Sequence, residues 1–459
     1  MILAAVTAVI TASLLFRAAQ EAKLASRSLL QAVALNLAEG AVEEGLFALA
    51  TTGYTTANGW AVASDSAVSR VKSIAGLNLV QGTGAMHVRI DNPTGVNPVV
   101  IGLGVVEIPQ QPKIVKQVRV GTGRRKPWGN GMVAKSDITF SVASSVDSYD
   151  SSIGPYHAAT NRSDKATIAT ISTAVDAVEL NGASSIYGYV ATGGADPLVP
   201  LGRIYGATSP CPQPPPPPYI DPARVRRDFA TNLPNIAPPT TDTAIVNVYN
   251  LGAYSVGALA SRTLPRAGDQ PIDTTLPASA TNPYRYSATS VSVSILGTLN
   301  ISGPVELVVS GNLGVTLLGF INVQNTTNST LNAYVGGNIS LSGFSNAWAS
   351  TAASAKATLW GTNTTSQNIT LSWGSAFVGT IYAPNAALSL NVAADIYGAV
   401  VAKTITMSGW GQFHWDSQLA NVEVGGFGYR VTAWAELTAP PGSGSAFARD
   451  NRQPFTSLF

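Results

Sequence analysis

Fifty residues without proline open the chain, and the first sixteen carry no charge. Met1 to Phe16 reads MILAAVTAVITASLLF, and Arg17 is the first ionised side chain. Sixteen helical residues cover about 24 Å, a little short of the roughly 30 Å hydrocarbon layer of a bilayer. From Arg17 to Ala50 the chain stays rich in Ala, Leu, Glu and Gln, all good helix formers. Leu30, Val33, Leu37, Val42 and Leu46 recur every three to five residues and continue one apolar stripe. Gly40 and Gly45 weaken that stripe only modestly. The pattern predicts one helix over residues 1–50, about 75 Å long, wholly apolar in its first third and amphipathic beyond. A lone helix of that length does not belong inside a compact domain. It needs a sheath of membrane, of sister helices, or of each in turn. The stretch lacks the basic start of a signal peptide.

Composition narrows the function classes. Charged residues make up 11% of 459, against about 25% in ordinary soluble domains. Lys and Arg number 27 and Asp and Glu 25, a net charge of +2, so no strong field draws in nucleic acid. The one cysteine, Cys211, excludes an internal disulfide framework and any paired-cysteine metal site. His87, His157 and His414 are too dispersed for a local metal motif. Neither catalysis, nor a metal, nor a cofactor is expected.

Beyond the helix, residues 51–135 read as a small β-rich segment packed on its distal part, with period-two alternation at Met86–Ile90 and Ile114–Val120. His87 fits there as an ordinary strand residue. The basic run at Gly123–Pro127 reads either as a partner patch or as a solvated loop. Asp147, Asp150 and Asp164 lack calcium-loop spacing, so a turn whose side chains bond nearby backbone is the better reading. SPCPQPPPPP, within a Pro-rich insertion near 209–222, is a stiff spacer, and DPARVRRDFA after it reads as a short helix capped by Asp221. From Val291 to Ala420 there are only five charges, and short β runs alternate with Gly/Asn turns. Ile-Tyr-Gly recurs at 186–188, 204–206 and 396–398, with Ile381-Tyr382-Ala383 as a variant, which points to stacked equivalent units. His414 near Asp416 and Asp395 is the one catalytic constellation in that stretch. Its flanking Phe413 and Trp415 suit a cap on the core better.

The stretch AVALNLAEGAVEEGLFAL resembles the PilX-type N-terminal helix of type IV pilin-like proteins. VDSYDSS, SSIYGYVATG, GTIYAPNAALSL, IYGAVVAKTITMSG, FHWDSQL and GYRVTAWAEL are similar to the large domain that follows that helix. The resemblance implies a leader removed just before a residue like Met1, although Ala5 stands where major pilins carry Glu. It implies an α+β chain: a long hydrophobic and amphipathic N-terminal helix over 1–50, the β-rich segment over 51–135, and a mainly β, β-solenoid-like domain over 136–459. The function implied is a structural subunit of an extracellular type IV pilus-like filament. The residues expected to carry assembly are Ile2, Leu3, Val6, Ile10, Leu14, Leu15, Phe16, Leu24, Leu30, Val33 and Leu37. The partners implied are copies of the chain, the inner membrane before assembly and the pilus assembly machinery. A minor pilin or pseudopilin is an alternative. So is a tip adhesin binding glycans through Trp348, Trp360 and Trp373, though no sequence pattern supports glycan binding. The bacterial host that the resemblance implies favours chance over surface glycosylation as the origin of the seven Asn-x-Ser/Thr sequons.

Overall fold

The computed structural model describes residues 2–437 except 52, 96, 211–213, 240–246, 325, 327, 346–352, 373 and 425–426. The side chains at 2–6, 8–9 and 344–345 are likewise outside the description. The chain divides into two compact units, residues 1–125 with 423–459, and residues 126–422.

In the first unit, helix α1 (Ile2–Thr51) is followed by strands β1 (Ala61–Ala63), β2 (Ser66–Leu79), β3 (Gly82–Asp91), β4 (Val99–Glu107) and β5 (Ile114–Arg124). They form an antiparallel meander, β1 through β5 in order. The strand Tyr429–Leu437 completes the sheet by pairing antiparallel with β5. That strand therefore does not end the second unit, as its likeness to a terminal strand of the large domain implied. Helix and sheet meet through very small residues. Ala34, Ala38 and Ala41 of α1 are fully buried. Opposite them, a Cβ on Gly104 would lie 1.9 Å from the Ala34 carbonyl oxygen, and one on Gly102 would lie 2.1 Å from that of Ala38. Only hydrogen at those two positions lets backbone approach backbone so closely. Leu49, Trp60, Val88, Ile90, Val100, Val118 and Val120 fill the remaining core.

The second unit is built from parallel strands, and from Val248 to Gly361 each pairs with the strand three further along the chain. Val248–Asn250 pairs with Tyr284–Ala288, which pairs in turn with Pro304–Val309, Thr330–Val335 and Ala357–Gly361. Two further columns run beside it, starting at Ala253–Val256 and Ser261–Leu264. Alternation is clearest in the middle of a column: in Thr330–Val335, Leu331, Ala333 and Val335 point inward and are buried.

The order of the columns does not follow the sequence. The strand Asp395–Ser408 pairs on one side with Ala376–Asn391 and on the other with Met132–Ala134 and Ile138–Phe140. Residues 132–226 are thus stacked onto the last strands of the unit rather than preceding its first. The chain leaves the far end at Val225–Arg226 and starts again at the opposite end with Val248. The return segment is anchored on the way. Tyr382 Oη donates to the Pro234 carbonyl at 2.9 Å, and Asn385 Nδ2 to Asn235 Oδ1 at 2.9 Å.

These observations correct the expected fold class. The chain is mostly β, with 46% of the described residues in strands, rather than α+β, and the parallel strands form a closed parallel β-barrel rather than a solenoid-like domain. Among the described residues no helix is long and apolar enough to cross a membrane. Arg17, Glu21, Lys23 and Arg27 interrupt the apolar run after Phe16. The short helix expected after the proline run is a 3-10 turn, Pro222–Arg224, whose Asp221 cap accepts from the Ala223 N–H at 3.0 Å.

Candidate functional site

The expected assembly residues fall into two groups on one continuous helix. Ile10, Leu14, Leu15, Phe16 and Leu24 are between 53% and 68% exposed. Leu30 is buried, and Val33 and Leu37 pack beside it against Val106, Leu79, Ile108 and Ile114. Those three belong to the protein's own core and are not free for a neighbour. Ile2, Leu3 and Val6 lie in the helix, with side chains outside the described residues. Packing on the sheet therefore begins at Leu30, and the helix N-terminal to it makes no core contact among the described residues. Leu29 and Phe47, each 66% exposed, add apolar area that the stripe argument missed, because they lie on the face turned away from the sheet.

Charges on α1 are sparse, and three of the seven are paired within the subunit. Arg17 meets Glu21 one turn on at 3.2 Å, and Glu44 takes Lys72 of β2 at 2.7 Å. Four charges on the helix have no partner among the described residues: Lys23, Arg27, Glu39 and Glu43.

The second constellation is a buried polar cluster in residues 126–422. His414, in the strand Gln412–Asp416, places Nδ1 2.5 Å from Asp147 Oδ1. A carboxylate only accepts, so Nδ1 carries the proton. The other Asp147 oxygen takes Arg162 Nε at 2.8 Å and Tyr156 Oη at 2.8 Å. The Tyr156 ring lies 3.7 Å from that of His414, and Tyr397 stacks on it at 4.7 Å. Arg162 also sits over the Tyr187 ring at 4.4 Å. Burial pushes the Tyr397 phenol up to about 12, with the charges of Asp395 and Asp147 adding to it. Burial likewise raises Tyr156 and Tyr149. His414 Nε2 is buried without a partner among the described residues. Sequence spacing joined His414 to Asp416, but Asp416 turns to Ser354, to the Ser151 N–H at 3.1 Å and to the Gln418 N–H at 3.1 Å. Asp147 is 267 residues away in sequence, and only the stacking of residues 145–149 on 412–416 brings it in.

Chemically the cluster ties down a loop. Asn161 donates to the carbonyls of Asp150, Gly154 and Pro155, and Tyr156 and Arg162 pin the same loop to Asp147. The three aspartates weighed for calcium are dispersed. Asp150 accepts from Ser152 N–H at 2.9 Å within its own turn, and Asp164 pairs with Arg224 at 2.7 Å. Among the described residues no group of His, Cys, Asp or Glu is placed to hold a metal ion. Trp360, offered as an exposed glycan platform, is 5% exposed and donates to Asn332 Oδ1 at 3.1 Å. It stacks with Tyr334 at 5.9 Å, so it is core. Trp348, Trp373, Cys211 and Met1 lie outside the described residues.

A family model described as a domain of unknown function (DUF7305) matches residues 273–422. No curated protein matches. Among solved structures, the chain is similar to the competence-associated pilin ComZ from Thermus thermophilus. The identity is 10% and the TM-score 0.24, over 88% of this chain and 97% of that one. So weak a likeness leaves the functional reading to the chain's own residues. The matched family model does not include the helix, and the PilX-type likeness stays a resemblance.

Proposed function

We propose that this protein is a pilin-like structural subunit of a surface filament of the type IV pilus kind, joined to its neighbours through the N-terminal half of α1. One observation carries the reading: a single helix is anchored on its own sheet from Leu30 onward and presents Ile10, Leu14, Leu15, Phe16 and Leu24 to solvent before it. Fully burying a large apolar side chain stabilises by about 2 kcal/mol, so five of them offer about 10 kcal/mol. That is of the same order as the roughly 4–15 kcal/mol that association costs. The balance favours a bundle in which each helix touches several neighbours over a single pairwise contact. The anchored half fixes the free half as a projecting rod, and copies of the chain are the partner whose chemistry matches it.

In this reading a pilus assembly machinery delivers the subunits to the cell surface. No catalytic step or cofactor takes part. Asp147 has both oxygens committed to internal partners, which is what a structural cluster requires. The test is electron microscopy of the full chain beside Leu14→Asp and Phe16→Asp. Filaments from the unaltered chain and dispersed subunits from the variants support the reading. A monomeric full chain, or filaments undiminished in both variants, overturns it.

A further inference from the structure

We propose that neighbouring subunits stand about sixteen residues out of step along their helices, so that Lys23 and Arg27 of one copy face Glu39 and Glu43 of the next. The proposal rests on the filament reading and adds its register and its recognition residues.

Seven charges lie on α1, and internal pairs account for Arg17, Glu21 and Glu44. What is left is two cations and two carboxylates, each pair four residues apart and so on one edge of the helix. Lys23, Arg27 and Glu43 are exposed and Glu39 is half-buried. The same offset of sixteen residues links Lys23 to Glu39 and Arg27 to Glu43. At 3.6 residues per turn, sixteen residues turn the helix by about 160° and advance it by about 24 Å. The cationic and acidic edges therefore point to nearly opposite sides. A second copy in the same orientation, slid by that distance, lays its cationic edge against the acidic edge of the first at the same height.

The apolar residues agree with the same shift. Phe16 shares the edge of Lys23 and Arg27, and Leu29 and Ala32 share the edge of Glu39 and Glu43. Phe16 is 68% exposed and Leu29 66%. The sixteen-residue offset sets Phe16 level with Ala32, one turn from Leu29. Glu39 and Glu43 flank the stripe of Ala38, Ala41 and Val42 that is buried against the sheet, and lie outside it. A neighbour therefore reaches them without displacing the sheet.

Physical selection of this register follows from burial. Two cations enclosed by apolar helices without partners are strongly penalised, whereas a register that meets both with carboxylates removes the penalty. A few charges in a greasy interface thus choose one alignment among the many that apolar contact alone would accept.

The test is a charge exchange in the full chain. Lys23→Glu with Arg27→Glu lowers filament yield by about a hundredfold or more, as breaking buried ion pairs does. Adding Glu39→Lys and Glu43→Lys to the same chain restores it. Circular dichroism of each variant checks that the fold persists, as the side chains exchanged have no partner among the described residues. Independently, Arg27→Cys with Glu43→Cys in a Cys211→Ser chain gives multimers on treatment of filaments with a short thiol-to-thiol cross-linker. Filaments that form normally despite the double reversal, or cysteines that stay unjoined within intact filaments, overturn the register and leave the filament reading standing. An unaltered chain that never polymerises overturns both.

Discussion

At the scale of single residues, one absence of a side chain matters as much as any contact. Gly104 lies where a Cβ would sit 1.9 Å from the Ala34 oxygen and 2.6 Å from the Ala38 nitrogen. These are backbone atoms of a packed helix and have nowhere to move. Gly104→Ala is therefore expected to destabilise the first unit by about 1–3 kcal/mol, read by denaturant unfolding. Gly314→Ala, where nothing lies within 4 Å of the added carbon, should change stability by less than about 0.5 kcal/mol. Asp395 gives a pH-dependent case. Burial raises its carboxyl, with His414 opposing, so the native state prefers the protonated form. The stability this contributes is present below the ordinary carboxylate range and is lost as pH rises through the raised value. Asp395→Asn keeps an oxygen to accept the Gln412 N–H, now held at 3.1 Å. It should melt higher than the unaltered chain at pH 7, by less than about 1 kcal/mol given the partial solvent contact. The advantage should vanish below about pH 4. A variant equal to the original at pH 7 would show that the carboxylate is not strained there.

Among the elements, α1 is the one with two environments. Its distal half is held by the sheet, whereas among the described residues those up to Leu29 make no core contact and rely on their own propensity and i,i+4 contacts. Helices without tertiary support are marginal in water even when their composition is favourable. Backbone amides before residue 29 should therefore exchange with solvent far faster than those of residues 34–48 in dispersed subunits. In filaments the two halves should be protected alike. Hydrogen exchange followed by mass spectrometry reads both states, and equal protection in the dispersed subunit would contradict the division of the helix.

On the scale of the whole chain, residues 126–422 form a compact unit with a sheet of their own. Its return segment offers a geometric check. Column positions from Val225 back to the Thr380–Tyr382 stretch are five strand spacings, about 24 Å at 4.8 Å each. Eight residues of extended chain, from Arg226 to Pro234, span about 26 Å. The contact of Pro234 with Tyr382 thus falls where a nearly straight return path reaches that strand. Residues 126–422 produced alone are expected to give a β-type circular dichroism spectrum and one cooperative melt. A fragment that stays unfolded would mean that the first unit is needed to fold the second.

Several features were legible in the sequence because they are local. A proline-free, charge-poor run predicts a helix wherever it packs, and α1 spans Ile2–Thr51 against a reading of 1–50. The Ile-Tyr-Gly repeats at 186 and 204 pair directly, Ile186 with Ile204 and Tyr187 with Tyr205, since side-chain alternation fixes strand register. Asp221 capping Pro222–Arg224 was equally readable, though the element it caps is a single turn. Tertiary structure alone decided which strands are neighbours. Long-range pairing, parallel or antiparallel, joins residues far apart in the chain, and its backbone hydrogen bonds leave no pattern in the sequence that tells which strand lies next to which. Hence 395–408 joining 132–140, Asp147 meeting His414, and Tyr429–Leu437 returning to β5 were all out of reach of periodicity. So was the line across α1 between residues that serve the core and residues left for a neighbour, because amphipathicity marks an apolar face without saying whose surface will cover it.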